Sequence, residues 1–349
     1  MKLKNTHIVF LTPGFAESET DSTTIPSLQI YLKCLKALLP NTKMTLLAFQ
    51  FPFSNKTYNW NGIDVIPLNG KNKHLKKLLI WRNARRALLK LHTENPIATI
   101  HSFWIGECSL IGSRFSKKHS IKHITTAMGQ DVKLGNKYVK PLLNTNTEII
   151  TLSENHKSIL FDNYKLKSNI IPWQLDTSSF PSLQNSTIDI LGVGSLNEVK
   201  NYSVFIKIIS GLSKTNPNLK VEIIGEGALQ MQLKKQIETL NLNDVITITG
   251  KLPRLKVYEK MAQAKVLLHT SKFESFGFVF LEALYSGMQI VSFNVGIASP
   301  ILEWQICSTE NEMTEALKAV INEPIKDKSR VALTEQDYCV KSYLKLYNE

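Results

Sequence analysis

The sequence is poor in cysteine and carries no recognisable metal-binding pattern. Its 349 residues include only four cysteines, and none belongs to a Cys-x-x-Cys pair or stands at ligand spacing from a histidine. This distribution excludes a zinc ribbon and a disulfide framework, and it suits a reducing cytoplasm. There is also no Asp-x-Asp pair to hold a divalent ion. We therefore expect neither a metal nor another cofactor.

Long hydrophobic runs are absent as well. No apolar stretch approaches the roughly 18 residues that a membrane-spanning helix needs. The apolar run at residues 7–11 is too short for a signal peptide, and Pro13 and Gly14 after it indicate a strand that ends in a turn. We expect a cytoplasmic protein, with peripheral attachment to the inner face of a membrane as an open alternative.

Acidic residues are scarce in the first half of the chain only. Residues 1–170 contain 24 Lys and Arg against 10 Asp and Glu, whereas residues 171–349 contain 18 against 19. Residues 71–92 carry eight basic side chains, no acidic one and several leucines. This composition suits a helix at an anionic lipid surface, and equally a solvated basic face over a leucine-lined contact. The aromatic residues there do not form a stacking surface, so we expect no nucleic acid.

Short β-branched runs alternate with amphipathic helical segments along the whole chain, which is typical of parallel sheets covered by helices. A polar stretch at residues 176–187 interrupts this alternation and indicates a linker. We therefore predict an α/β protein with two domains, residues 1–176 and 177–333. Apolar residues at helical spacing in residues 334–349 predict a terminal helix, which could pack back on the first domain.

The segment 273–287 is the most informative part of the sequence. Glu274 lies in a predicted loop after a strand, and Glu282 lies on the helix that follows. Backbone N–H groups of Ser275, Phe276 and Gly277 would face a ligand at the helix N-terminus, an environment that suits a phosphate. The helix around Glu282 is otherwise apolar, so an unpaired carboxylate there would be costly, which favours a ligand-binding role.

These two glutamates, with seven residues between them, resemble the Glu-x7-Glu signature of glycosyltransferase family 4. Gly194 and Lys200, after the strand at residues 188–193, resemble the loop whose lysine contacts the donor diphosphate, and Gly225 resembles the next glycine turn. The resemblance implies the GT-B fold, in which two Rossmann-like domains face each other across a cleft. It also implies retaining transfer of a sugar from a nucleoside-diphosphate sugar to a saccharide or lipid-linked acceptor, in polysaccharide, lipopolysaccharide or glycolipid assembly.

The resemblance implies that Lys200 stabilises negative charge on the diphosphate. It implies that Glu274 binds hydroxyl groups of the sugar and that Glu282 binds the ribose. Donor contacts in the second domain are also expected from Gly194, Ser195, Gly225, Ser275, Phe276, Gly277 and Phe278. In the first domain, ligands of parallel sheets bind at the carboxyl ends of strands. That rule gives backbone contacts from Gly14 and Phe15 to the donor, and acceptor contacts or structural roles for Glu19 and His101. The resemblance makes Gln130 and Asp131 further candidates, Gln130 for the acceptor and Asp131 for catalysis, with turn capping as the alternative for both.

Two positions depart from the family pattern. Ser195 stands where relatives commonly have an arginine on the diphosphate, and Met128 stands where they often have a histidine near the sugar. Either Lys251 or Arg254 replaces the arginine, or backbone amides bind more of the diphosphate. The departures leave a catalytically impaired sugar-nucleotide-binding protein as the main alternative, although both glutamates are retained. An NAD-dependent oxidoreductase is disfavoured, because no Gly-x-Gly-x-x-Gly follows a predicted strand.

Overall fold

A computed structural model describes residues 6–323, 328–335 and 337–348. The chain divides into two compact units. The N-terminal unit runs to Gln174 and includes the terminal helix, and the C-terminal unit comprises Leu175–Glu335. No helix among the described residues is long and apolar enough to cross a lipid bilayer.

The N-terminal unit is an eight-stranded sheet with helices between its strands. Its elements are β1 (His7–Gly14), α1 (Pro26–Leu38), β2 (Lys43–Phe51), β3 (Tyr58–Trp60), β4 (Ile63–Pro67), α2 (Lys77–Glu94), β5 (Ile97–Phe103), α3 (Glu107–His119), β6 (Lys122–Thr126), α4 (Val139–Leu142), β7 (Thr147–Thr151), α5 (Glu154–Tyr164) and β8 (Asn169–Ile170). The strand order is β3-β4-β2-β1-β5-β6-β7-β8. Only β3 pairs antiparallel with its neighbour, and the direction of chain progression reverses between β1 and β5.

The C-terminal unit is a six-stranded parallel sheet. Its elements are β9 (Ile188–Val193), α6 (Tyr202–Ser213), β10 (Val221–Ile224), α7 (Gln230–Thr239), β11 (Ile246–Gly250), α8 (Arg254–Ala262), β12 (Ala264–His269), α9 (Phe278–Tyr285), β13 (Gln289–Phe293), β14 (Trp304–Cys307) and α10 (Glu310–Asn322). The strand order is β11-β10-β9-β12-β13-β14. The chain builds outward from β9 to β11 and then returns to β12 on the other side of β9. Open parallel sheets bind ligands at the carboxyl ends of the two strands where the order reverses, which here are β9 and β12.

Both sheets are covered on two faces, as their sequences dictate. The strands β1 and β9 are nearly continuous apolar runs, and Ile8, Phe10, Ile190 and Leu191 are fully buried. A strand that is buried on both sides reads in this way, whereas one with a solvated face alternates. The buried layers hold the strand ends rigid, and the loops at those ends carry the polar side chains.

The last helix, α11 (Tyr338–Asn348), packs in the N-terminal unit against α1. Its tyrosines enter a buried hydrogen-bonded network. The Tyr347 hydroxyl contacts the Tyr31 hydroxyl and lies 2.6 Å from Nδ1 of His101. The Tyr343 hydroxyl lies 2.8 Å from Oγ1 of Thr126. These polar contacts fix how the terminal helix is seated in the N-terminal unit.

Candidate functional site

Two loops meet at the carboxyl ends of β9 and β12 in the C-terminal unit. The loop after β9 carries Lys200, the loop after β12 carries Glu274, and the two side chains form an ion pair. The backbones are joined as well, because the Lys272 N–H donates to the Val199 carbonyl at 2.8 Å and the Thr270 hydroxyl donates to the Lys200 carbonyl at 3.0 Å. The ammonium of Lys200 and the carboxylate of Glu274 are therefore held together between β9 and β12, where the strand order reverses.

His269, the last residue of β12, is hydrogen-bonded to the Glu274 carboxylate. Its Nε2 lies 2.9 Å from Oε1 of Glu274, and its ring packs against Phe280. Burial raises the pKa of Glu274, but the hydrogen bond from His269 and the charge of Lys200 outweigh it and hold this pKa at about 2. Burial lowers the pKa of His269, so the imidazole is neutral and donates through Nε2. Glu274 is thus an acceptor of hydrogen bonds and not a proton donor at neutral pH.

Close backbone contacts require glycine beside Lys200. A Cβ atom at Gly225 would lie 1.9 Å from the carbonyl oxygen of Gly194, and one at Gly227 would lie 2.3 Å from that of Leu196. The Gly194 N–H donates to the Ile224 carbonyl at 3.0 Å, so the loops after β9 and β10 pack backbone on backbone. This packing leaves a surface of main chain next to the ammonium, with the side chain of Ser195 exposed beside it.

The helix α9 begins directly after the Glu274 loop. Gly277 precedes its first residue with a φ of +80°, and a Cβ atom there would lie 2.5 Å from the Phe280 ring. Phe276 is buried and its carbonyl accepts from the Ile297 N–H at 2.9 Å, while Ser275 and Phe278 are half-buried. The predicted segment from Glu274 to Phe278 is therefore one continuous turn at the N-terminus of α9.

Glu282 lies one helical turn further along α9 and is buried, but its carboxylate is not unpaired. It forms an ion pair with Arg254, the first residue of α8, and its Oε1 accepts from the Tyr258 hydroxyl at 3.3 Å. These partners within the protein offset the cost of burying the carboxylate. Arg254, which the sequence offered as one replacement for the arginine of relatives, is engaged here with Glu282. Lys251, the other candidate, lies 3.8 Å from the exposed Glu226.

Comparison with known proteins gives matches to glycosyltransferases. Residues 177–338 match the family described as glycosyl transferases group 1. An uncharacterized glycosyltransferase of Haemophilus influenzae is 27% identical over 64% of this chain and 68% of that protein. The matching subunit of human phosphatidylinositol N-acetylglucosaminyltransferase is 30% identical over 37% of this chain, and the matched region spans only 27% of the human protein.

Solved structures resemble the chain over most of its length. Sucrose-phosphate synthase from Thermosynechococcus elongatus gives a TM-score of 0.72 at 14% identity, with 90% of both chains covered. HepE of Anabaena, solved in complex with UDP and glucose, gives 0.64 at 14% identity over 90% of both chains. The protein is a glycosyltransferase. The GT-B fold expected from the sequence is confirmed, and so is the prediction of a transferase.

In the N-terminal unit of the glycosyltransferase, Asp131 caps a turn. Its carboxylate accepts from the backbone N–H groups of Ile105 at 2.7 Å, Gly129 at 2.6 Å and Met128 at 3.2 Å. These bonds give Asp131 the turn-capping role that the sequence left open beside a catalytic one. Gln130, next to it, is exposed.

The remaining N-terminal candidates are engaged within the glycosyltransferase itself. His101 is fully buried and its two ring nitrogens contact Tyr347 and Thr126, so of its two expected roles the structure supports the structural one. The Phe15 N–H donates to the Phe51 carbonyl at 3.1 Å, so this amide is not directed at a phosphate. The candidates Gly14 and Glu19 lie close to Phe15 in the sequence. Gly14 is buried at the end of β1, and the exposed Glu19 accepts from the Asn61 N–H at 2.9 Å.

Sequence reasoning missed His269 and the pairing of Arg254 with Glu282. His269 stands at the carboxyl end of a predicted strand, five residues before Glu274, and that position alone could have identified it. No sequence pattern predicts the pairing of Arg254 with Glu282, because the sequence does not reveal which helices face each other. Among the described residues no group of three His, Cys, Asp or Glu side chains is placed to hold a metal ion.

Proposed function

We propose that this glycosyltransferase is a retaining enzyme of family 4 that binds a nucleoside-diphosphate sugar at the carboxyl edge of its C-terminal sheet. The observation that carries the proposal is the Lys200–Glu274 pair at the junction of β9 and β12. A cation for the diphosphate and a permanently ionised acceptor for sugar hydroxyls are placed together where the fold class binds ligands.

The donor assignment uses the residues of the same edge. Lys200 and the main chain around Gly194 and Gly225 receive the diphosphate, and Glu274 accepts from hydroxyls of the transferred sugar. Glu282 accepts from the vicinal hydroxyls of the ribose. UDP is the carrier we favour, because HepE was solved with it, and N-acetylglucosamine is the first sugar to test, given the name of the human relative.

The proposed chemistry needs no protein nucleophile. The acceptor hydroxyl attacks the anomeric carbon on the face from which the diphosphate leaves, and the leaving phosphate takes the acceptor proton. Lys200 stabilises the charge that grows on the diphosphate, a contribution that can reach ~3–4 kcal/mol for one preorganised donor. Glu274, with a pKa of about 2, stays ionised and stabilises the positive charge that develops on the sugar ring. We propose that this chemistry requires no metal.

The acceptor is a saccharide or a lipid-linked saccharide in this proposal, and the N-terminal unit contacts an anionic membrane. Three leucines around the start of α2 are exposed, Leu75 fully, Leu78 at 76% and Leu79 at 48%. Exposed basic side chains of the same segment are Lys71, Lys73, Arg82, Arg85, Arg86 and Lys90. Apolar side chains among cations suit the boundary between lipid headgroups and acyl chains.

A thermal-shift screen of UDP-, GDP-, ADP- and CDP-sugars tests the donor assignment, because a ligand that binds only the native state raises the melting temperature. We expect a UDP-sugar to give the largest shift and Glu282→Ala to abolish it. Equal shifts in the wild type and Glu282→Ala would remove the assignment. Donor binding without transfer to any acceptor, including water, would favour the catalytically impaired alternative.

A further inference from the structure

The carboxylate of Glu282 is held on one side only. Both of its hydrogen-bonded partners, Arg254 and Tyr258, contact Oε1. Oε2 accepts no hydrogen bond from any residue that the structure describes. Arg254 also donates through Nε to the Tyr258 hydroxyl at 2.7 Å, so the three groups form a closed triangle around Oε1.

We propose that Arg254 is a positioning residue for the donor, which with Tyr258 fixes Oε1 of Glu282 so that Oε2 is presented to the ribose hydroxyls. This inference rests on the proposed function, in which Glu282 binds the ribose. The inference adds to the donor site a residue that lies outside both the Glu274–Glu282 motif and the loop that carries Lys200.

Packing keeps the guanidinium in place. Arg254 lies over the rings of Tyr258 and Phe278, 5.4 and 5.3 Å from their centres, and Phe180 stacks on Tyr258 with ring centres 4.0 Å apart. A planar guanidinium that contacts two rings is restricted in orientation and binds a carboxylate in a defined geometry. A lysine at this position would keep the charge and lose the fixed geometry.

The charge of Arg254 also favours the ionised form of Glu282. Burial raises the pKa of Glu282, and Arg254 and Tyr258 oppose that rise. Other charged or titratable groups contact α9 at other residues. Arg330 lies over Tyr285 at the end of the helix, and His269 packs against Phe280 on the side of Glu274. Loss of Arg254 therefore leaves a buried carboxyl with a higher pKa, which accepts ribose hydrogen bonds less well as the pH falls.

The test measures the affinity of UDP-N-acetylglucosamine by calorimetry between about pH 8 and about pH 6, since its diphosphate stays fully ionised over this range. We expect Arg254→Met to bind about tenfold more weakly than the wild type near pH 8, and up to about tenfold more weakly again for each pH unit below the raised pKa of Glu282. Arg254→Lys should weaken binding without this added pH dependence. Glu282→Gln should bind weakly at every pH.

The variants separate this inference from the proposed function. If Glu282→Gln weakens binding while Arg254→Met behaves like the wild type at every pH, the positioning role is wrong and the ribose assignment stands. If Glu282→Gln itself leaves the affinity unchanged, the ribose assignment fails first. Tyr258→Phe, which removes the longer bond at 3.3 Å, should have a smaller effect than Arg254→Met. A larger effect would assign the positioning to Tyr258 and contradict the proposal.

Discussion

Lys200 and Glu274 are 74 residues apart in the chain and form an ion pair. The pair lies at the ends of β9 and β12, where the order of the strands in the C-terminal sheet reverses. The pair is shielded, since the side chains are only 22% and 13% exposed, and His269 adds a hydrogen bond to the same carboxylate oxygen. With a pKa of about 2, Glu274 stays ionised well below neutral pH. We therefore expect no titration of Glu274 in a pH–activity profile between about pH 5 and 9.

Replacement of Lys200 by methionine should lower kcat by about 100- to 1000-fold, because the leaving diphosphate loses its matched cation. Lys200→Arg should retain part of the activity. Steady-state kinetics with saturating donor separates kcat from KM. The matched control is Lys207→Met, since Lys207 lies on α6 in a largely exposed pair with Glu310. Similar losses in both variants would contradict a specific role for Lys200.

Much of the C-terminal unit could be predicted from the sequence, because its strands are short apolar runs, several of which end in glycine turns. The loop with Lys200 and the segment from Glu274 to Glu282 both lie at strand ends, which position alone predicts in a parallel sheet. The partner of Glu282 could not be predicted. Arg254 reaches it through the packing of α8 on α9, and which helix faces contact each other depends on the assembled fold.

The N-terminal candidates show a different difficulty. The sequence predicts a strand that ends at His101, but β5 extends to Phe103 and the ring lies inside the core. Its burial depends on Tyr347, which is 246 residues away and on the last helix. A polar residue that is satisfied by such a distant partner looks like a free functional group in the sequence. Asp131 likewise looks catalytic until its three backbone partners are known.

Acid should destabilise the N-terminal unit through its buried histidines. Burial lowers the pKa of His123 from 6.5 to about 3, and its ring contacts Ser102 and Thr147. The unfolded chain takes up a proton below about pH 6.5 and the folded chain does not. Stability is therefore complete above that pH and falls as the pH drops toward 3, by up to about 1.4 kcal/mol per unit for this residue.

Urea unfolding at several pH values measures this dependence. His123→Gln should be less stable than the wild type near neutral pH, and its free energy of unfolding should fall less steeply below pH 6.5. Thr147→Val removes a partner of the ring but keeps the histidine, so it should lower stability and keep the steep slope. Identical slopes in the wild type and His123→Gln would show that His123 is protonated in the folded state.

The terminal helix should contribute to stability through Tyr347. Tyr347→Phe leaves the buried Tyr31 hydroxyl and Nδ1 of His101 without their partner, which should cost about 1–3 kcal/mol in the free energy of unfolding. Tyr338→Phe, at an exposed position of the same helix, should change it by less than about 0.5 kcal/mol. Chemical denaturation monitored by tryptophan fluorescence measures both. A small effect of Tyr347→Phe would mean that water replaces the lost hydroxyl.

The exposed leucines at the start of α2 should direct the protein to anionic lipid. We expect sedimentation with vesicles that contain phosphatidylglycerol, little with pure phosphatidylcholine, and weaker binding as salt screens the basic side chains. Leu78→Ser and Arg85→Glu should each reduce binding, the first by loss of apolar contact and the second by loss of charge attraction. Met231→Ser is the control, because Met231 is 79% exposed in the C-terminal unit, outside this basic segment. Equal binding to neutral and anionic vesicles, or none at low salt, would remove the anionic membrane from the proposal, because the basic side chains would then have no lipid partner.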